Sequence, residues 1–194
     1  MDRMNLFPVP LFGTEYEGAE KLREAIVPKL LEIEKNDKNP VPYTHGGYTN
    51  YHPDTNALNF DECADLKQFI LDRGREATQS LAASNDVMLV GSWFSINRKH
   101  SFHPIHNHLP ATWSGVYYVQ AQEDDAFITF FDSNKESNWP WLGFKENNEY
   151  NTPTFSIMPK TGRLLLFPAF LKHTVEQQNK DSERITISFN LSTK

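Results

Sequence analysis

From Val87 onward the chain is a succession of short β-type apolar runs broken by turn residues, and no other feature restricts the fold as much. Eight strands are expected: Val87–Asn97, Phe102–His106, Trp113–Gln120, Phe127–Phe131, Thr154–Met158, Arg163–Phe167, Leu171–Val175 and Ile185–Leu191. No further helical period interrupts them. Short antiparallel strands of this number, following a helical section, predict an all-β core with N-terminal helices on one outer face. The expected architecture is a double-sheet jelly roll, that is, a cupin-like double-stranded β-helix.

The first 86 residues read differently. Thr14 and Glu17 have capping-box spacing, and Leu22, Ile26, Leu30 and Ile33 follow at helical intervals, so a first helix is predicted, bent or split at Pro28. Residues 36–58, with Pro40-Val41-Pro42-Tyr43 and His45-Gly46-Gly47-Tyr48, predict an ordered but irregular loop. Asn59 and Glu62 are placed to cap a second helix, whose apolar face is Leu66, Phe69, Ile70, the stem of Arg73, Ala77 and Leu81. At 194 residues the chain fits a single domain, 1–194, made of a helical and loop section, 1–86, and a core, 87–194.

Within the core, four of the seven histidines fall between positions 100 and 108. His106 and His108 are two residues apart, so on a strand both imidazoles face one side and can close on one metal ion. A third ligand must come from elsewhere, and His173, just after the run Leu164-Leu165-Leu166-Phe167-Pro168, is where a neighbouring strand would deliver it. Arg184, eleven residues further on, carries a planar, permanently charged group suited to hold a carboxylate by two parallel hydrogen bonds. His103 is a candidate to orient a ligand imidazole, and His100 is expected to be solvated or on the substrate side.

Residues between Asp132 and Thr154 form a long segment without period that contains Trp139-Pro140-Trp141. Loops of this length inside compact domains are often functional, so a lid over the substrate is one reading; cover for a sheet edge, or a homodimer contact, is the other.

Composition narrows the function class. A net charge of -6 with scattered Lys and Arg leaves no basic stripe and argues against nucleic-acid binding. A small basic cluster, Arg98-Lys99-His100, is kept as a substrate contact. The lone Cys63 allows no internal disulfide and is read as a partly buried helix residue; a reducing, cytoplasmic compartment is expected. No run reaches membrane-spanning length, and the proline-broken start lacks a signal-peptide pattern, so no membrane partner is expected.

Taken segment by segment, the chain resembles the iron(II) and 2-oxoglutarate-dependent oxygenases, and within them a group with a His-x-His metal motif. The resemblance runs through Asn5-Leu6-Phe7-Pro8-Val9-Pro10, Ser92-Trp93 to Asn97, His106-Asn107-His108, and Ser114-Gly115-Val116-Tyr117-Tyr118-Val119. It continues in Gly162 to Phe167-Pro168, His173, and Arg184-Ile185-Thr186-Ile187-Ser188-Phe189-Asn190, so that it spans nearly the whole chain. It implies that His106, His108 and His173 bind Fe(II) and that 2-oxoglutarate chelates the metal. Arg184 and Thr186 would hold the distal carboxylate of 2-oxoglutarate. It further implies contacts to that cosubstrate from whichever of Tyr117 and Tyr118 faces inward, and from Asn97 and Asn190. Trp113, Trp139 and Trp141 would shape the substrate mouth. The implied reaction uses O2 to hydroxylate a primary substrate that the sequence does not identify, releasing succinate and CO2.

One position departs from the superfamily, whose first motif is His-x-Asp or His-x-Glu: the carboxylate slot here holds His108. Asp132 is the alternative source of a carboxylate ligand. Two further readings stand beside this one. The first is a three-histidine cupin-like metalloenzyme without 2-oxoglutarate. The second is a jelly-roll binding or structural module in which His103 completes a four-ligand zinc site.

Overall fold

The computed structural model describes residues 7–38, 40, 45–51, 56–133, 142–146, 148 and 150–194. Ten strands and two α-helices form among them. In chain order these are β1 (Phe12–Glu15), α1 (Ala19–Asn36), β2 (Tyr48–Thr49), α2 (Ala64–Ser80), β3 (Val87–Asn97) and β4 (His103–His106). They continue with β5 (Trp113–Gln120), β6 (Ile128–Phe131), β7 (Thr154–Ile157), β8 (Arg163–Pro168), β9 (His173–Val175) and β10 (Arg184–Thr193). The strands make two antiparallel sheets, one of six in the order β1-β8-β5-β10-β3-β2 and one of four in the order β4-β9-β6-β7.

Strand alternation divides the large sheet into two chemically different faces. Ile185, Ile187, Phe189 and Leu191 of β10, Trp113, Tyr117 and Val119 of β5, and Leu164 and Leu166 of β8 share one core with Leu22, Ile26 and Leu30 of α1 and Leu66, Ile70 and Ala77 of α2. The helices therefore back the large sheet on its outer face, as the pattern predicts. On the opposite face Val116, Tyr118, Leu165 and Phe167 meet Ile128 and Phe130 of β6 and Leu171, which closes a second core between the sheets.

All eight expected strands form, and two more lie in the section read as helical and irregular. Thr14 caps nothing: it pairs with Leu164 at the edge of the large sheet, and α1 starts only after Gly18, with no side-chain cap. The edge of β8 offers the backbone of residues 12–15 hydrogen bonds that a helix start would leave open. Pro28 lies inside one unbroken helix on its exposed side, where water can take up the carbonyl it leaves unpaired. β2 pairs with β3 through Tyr48 and Thr49 within the stretch expected to be a loop.

The second helix is also entered differently. Two 3-10 turns, Ala57–Asn59 and Asp61–Cys63, precede α2, and its first residue follows Cys63 without a side-chain cap. Asn59 instead accepts a hydrogen bond from Lys67, and Glu62 pairs with Lys29. Cys63 is fully buried rather than partly so. Leu81 lies just past the helix end and is 55% exposed, while Gly74 and Thr78 take the buried positions. Gly74 fits there because a Cβ would meet Leu191 at 2.5 Å, and Thr78 accepts the indole N–H of Trp113 at 3.0 Å.

The basic cluster is neutralised by acidic neighbours. Arg98 makes ion pairs with Glu34 of α1 and Glu183, and Lys99 with Asp181, so these groups tie elements together and are not free for a substrate. His100, exposed and at positive φ, contacts Gln177. Among the described residues no helix is long and apolar enough to cross a membrane.

Candidate metal centre

The small sheet brings the first and last histidines of the set side by side. β9 is flanked by β4 and β6, and His173 is the direct cross-strand neighbour of His106 on one side and of Phe130 on the other. Residues opposed in this way have side chains within about 5.5 Å at the Cβ. His108 arrives by another route. The strand ends at His106, so the pair does not share one continuous strand as the spacing suggested; His108 is set by its backbone N–H, which donates to the carbonyl of Ala169 at 2.8 Å.

The three rings converge. Ring centroids lie 4.3 Å apart for His106 and His173, 4.9 Å for His106 and His108, and 5.2 Å for His108 and His173. One ligand nitrogen from each lies within 4.8 Å of the others, a spacing that a single ion at about 2.1 Å from each can bridge with modest adjustment. Two of the rings are fixed in the tautomer a metal needs. Nδ1 of His106 lies 2.8 Å from the carbonyl of Pro104, and Nδ1 of His173 lies 3.0 Å from that of Leu171. A carbonyl only accepts, so each Nδ1 carries the proton and each Nε2 keeps its lone pair.

Burial keeps these imidazoles uncharged. It holds the pKa of His106 below the ordinary range, and with the neighbouring histidines it takes His108 and His173 down to about 3. His103 is brought to about 4 by burial, then by His106, His45 and Arg184. Neutral rings are the ligating form. The surroundings reinforce this: His173 is packed against Phe130 and Phe167, and His108 lies 5.5 Å from Trp93.

No carboxylate joins the converging group among the described residues. Asp132, the alternative ligand, follows the end of β6 and donates its backbone N–H to Pro153. The ring of His103 lies 4.4 Å from that of His106, tilted by 42°, but is not part of the group, so the fourth ligand of a closed zinc site is missing among the described residues. Nor does His103 orient His106 through its Nδ1, since the Pro104 carbonyl occupies that atom.

The remaining candidates fall on two faces. Arg184, 1% exposed, and Thr186, 3% exposed, lie on the face of β10 turned toward the small sheet. Thr186 is opposite Tyr118 and Ser95. The guanidinium of Arg184 lies 5.0 Å from the Tyr118 ring and donates from Nη1 to Oδ1 of Asn97 at 3.2 Å. Nε of Arg184 and the hydroxyl of Tyr118 are buried without hydrogen-bond partners among the described residues. Buried polar groups are normally paired, so this corner is built to receive an acceptor, and the charge of Arg184 makes that an anion.

Tyr117 and Trp113 stand on the other face. Tyr117 meets Tyr16 and Trp113 meets Phe12 and Thr78, all on the helix side, so neither reaches the histidines or shapes a mouth. Both have odd positions on β5, opposite in orientation to Tyr118. Asn190 shares the face of Arg184 but lies at the far end of β10, beside His108. Trp139 and Trp141 lie outside the described residues. Trp93 was not among the expected contacts, although counting back by twos from Asn97 on β3 would have placed it on the inner face. The carbonyls of Pro104 and Leu171 leave no such trace, because every residue carries one.

Comparison with known proteins gives the same picture. Residues 91–190, just over half of the chain, match a family described as "Putative 2OG-Fe(II) oxygenase". No protein of curated function matches the sequence. Among solved structures, a Pseudomonas putida prolyl-4-hydroxylase aligns with a TM-score of 0.64 at 16% identity, over 96% of this chain and 94% of that one. HygX from Streptomyces hygroscopicus, with nickel and 2-oxoglutarate bound, aligns with a TM-score of 0.65 at 12% identity, over 95% and 83%. An oxidoreductase of the 2OG-Fe(II) oxygenase family from Burkholderia pseudomallei aligns at 0.52 and 13% over 70% of this chain, which spans 58% of that larger protein. At these identities the likeness is one of fold: two antiparallel sheets of the double-stranded β-helix.

Proposed function

The chain belongs to the 2OG-Fe(II) oxygenase family, and from that premise we propose that it is a non-haem Fe(II) and 2-oxoglutarate-dependent dioxygenase that hydroxylates an organic substrate, releasing succinate and CO2. The observation that carries this reading is the meeting, in one interior, of three convergent neutral imidazoles with a buried guanidinium whose Nε has no partner among the described residues.

The donor set suits the metal. Three imidazoles would hold an iron ion while leaving it room for further ligands, as an oxygen-activating iron site requires. When bound, Fe(II) with 2-oxoglutarate supplies the oxidising chemistry. The chain's own part is placement. His106, His108 and His173 hold the ion; Arg184, with Thr186 and the hydroxyl of Tyr118, binds the distal carboxylate; Asn97 fixes the guanidinium plane through Nη1. Phe130, Phe167 and Trp93 keep water from the ligands. His108 in the carboxylate slot leaves the bound ion one charge more positive than a site with Asp or Glu, which favours an anionic cosubstrate. The prolyl-4-hydroxylase of the same fold supports hydroxylation as the outcome. In this reading residues 1–194 act as one domain, with 1–86 backing the core.

The test is an oxygen-free titration of metal-free protein with Fe(II) and then 2-oxoglutarate, following the visible charge-transfer absorption of a chelated iron–2-oxo-acid complex. The band is expected in the wild type and absent in His173→Ala. In Arg184→Leu about ten- to a hundredfold more 2-oxoglutarate should be needed, the loss typical of a charge-assisted hydrogen bond. Full iron retention in His173→Ala, or an unchanged requirement in Arg184→Leu, would overturn the assignment.

A further inference from the structure

The interior between the sheets has two polar ends with the histidines between them. Arg184 and Asn190 share one face of β10 and are six residues apart, about 20 Å at the ordinary strand rise. At the Arg184 end the guanidinium acts electrostatically on His103, whose ring lies 4.4 Å from that of His106, and His106 in turn lies beside His173 and His108. Beyond them, His108 and Asn190 line an open pocket of about 420 Å³, within the range of small-molecule sites.

The two ends differ in charge. The Arg184 end is cationic. Besides His108, the pocket is lined by Asn107, Asn190, Ser192 and Tyr51 together with the apolar side chains of Val90, Leu109, Pro110 and Ala111, and no carboxylate, lysine or arginine is among its described lining. Oδ1 of Asn190 is shielded from solvent and has no hydrogen-bond partner among the described residues. Rotation about the broad terminal torsion of asparagine turns either end of this carboxamide toward a ligand.

We propose that this pocket holds the organic substrate of the oxygenase reading above, on which the assignment rests, and that the group it takes is uncharged, carrying an amide or hydroxyl function next to a short apolar part. Asn190 is the specificity-determining residue. A carboxamide donates and accepts at once, so it pairs with another amide through two parallel hydrogen bonds and offers no full countercharge to an ion. A charged group entering here would lose hydration without an ionic partner. A dianionic cosubstrate is therefore drawn to the Arg184 end and a neutral substrate to the Asn190 end, with the metal ligands between. The separation of about 20 Å keeps one small molecule from occupying both ends.

Three probes that share the leucine side chain test this: N-acetylleucinamide, which is neutral, N-acetylleucine, an anion of the same size, and leucinamide, a smaller cation at pH 7. Each is titrated into the metal-free protein by ligand-observed NMR, so the result does not depend on the iron chemistry. The neutral probe is expected to bind at least tenfold more tightly than either charged one. That advantage should be lost in Asn190→Leu and in Ala111→Trp, the second of which fills the pocket with bulk and keeps the Asn190 carboxamide. With Mn(II) bound in place of iron, the probe's methyl signals should broaden, as proximity to His108 requires. A charged probe binding as tightly as the neutral one, no binding of the neutral probe, or undiminished binding in either variant would overturn the assignment. Neutral preference in a protein that never forms the iron–2-oxo-acid band would leave the pocket's preference standing and remove the oxygenase reading instead.

Discussion

Tyr117 and Tyr118 are adjacent, both fully buried, and both keep a hydroxyl without a partner among the described residues, yet they face opposite sides of β5. Burial raises the pKa of each phenol, so neither ionises near neutral pH. A buried unpaired hydroxyl costs about 1–3 kcal/mol, so Tyr117→Phe should raise the midpoint of urea unfolding of the metal-free protein, by about 1 kcal/mol in stability, whereas Tyr118→Phe removes a hydroxyl that lies against Arg184. The two variants should then part. Tyr118→Phe should need more 2-oxoglutarate to form the iron complex, because its hydroxyl faces Arg184, while Tyr117→Phe should not; an equal requirement in both would remove Tyr118 from the anion site. The sequence could say that only one tyrosine faces inward, and not which, because alternation fixes relative orientation and the choice of face depends on what packs behind the sheet. Trp113 was misplaced for the same reason: an aromatic beside a metal motif reads as a mouth residue until the helices behind it are known.

At the scale of elements, β5 is the strand on which both cores depend, and Gly115 is its tightest point. A Cβ there would lie 2.2 Å from Cζ of Phe189 and 2.7 Å from the backbone oxygen of Leu165. The ring can turn only within a packed core, and the carbonyl belongs to the neighbouring strand. Gly115→Ala should therefore destabilise the protein by about 1–3 kcal/mol, read as a lower urea midpoint; an unchanged midpoint would mean that β5 and β8 can separate at little cost. The strands from Val87 on were legible because period-2 apolar runs ended by turn residues are local signals. β1 and β2 were not, because a four-residue and a two-residue edge strand owe their existence to partners far along the chain, Arg163 to Leu166 and Ser95 to Ile96. Helix starts failed differently. Thr14, Asn59 and Glu62 have capping chemistry, but strand pairing, a hydrogen bond from Lys67 and an ion pair with Lys29 engaged them first.

The histidines lie between the two sheets and Cys63 lies between the large sheet and the helices, so together they ask whether the molecule opens as one unit. Cys63 is fully buried, and burial pushes its thiol up to about 12, so at pH 8 it is protected both by access and by the scarcity of thiolate. A thiol reagent should then modify it only when the chain opens. A metal ion bound by the histidines would stabilise the native state without touching Cys63, by about 2.7 kcal/mol when the free ion is at one hundred times its dissociation constant. If α1 and α2 detach only with global unfolding, labelling limited by the open population should slow about a hundredfold when the metal-free protein is given that concentration of Fe(II) without oxygen. His173→Ala should show no slowing. A labelling rate indifferent to metal in the wild type would mean that the helices lift from the sheet while the metal site stays closed, and residues 1–86 would then be a separate cooperative unit and not the backing of a single domain. The shared core of Leu22, Ile26, Leu66 and Ile70 with Ile185, Ile187 and Phe189 argues for the coupled result, since parting the helices from β10 exposes the strand whose other face carries Arg184.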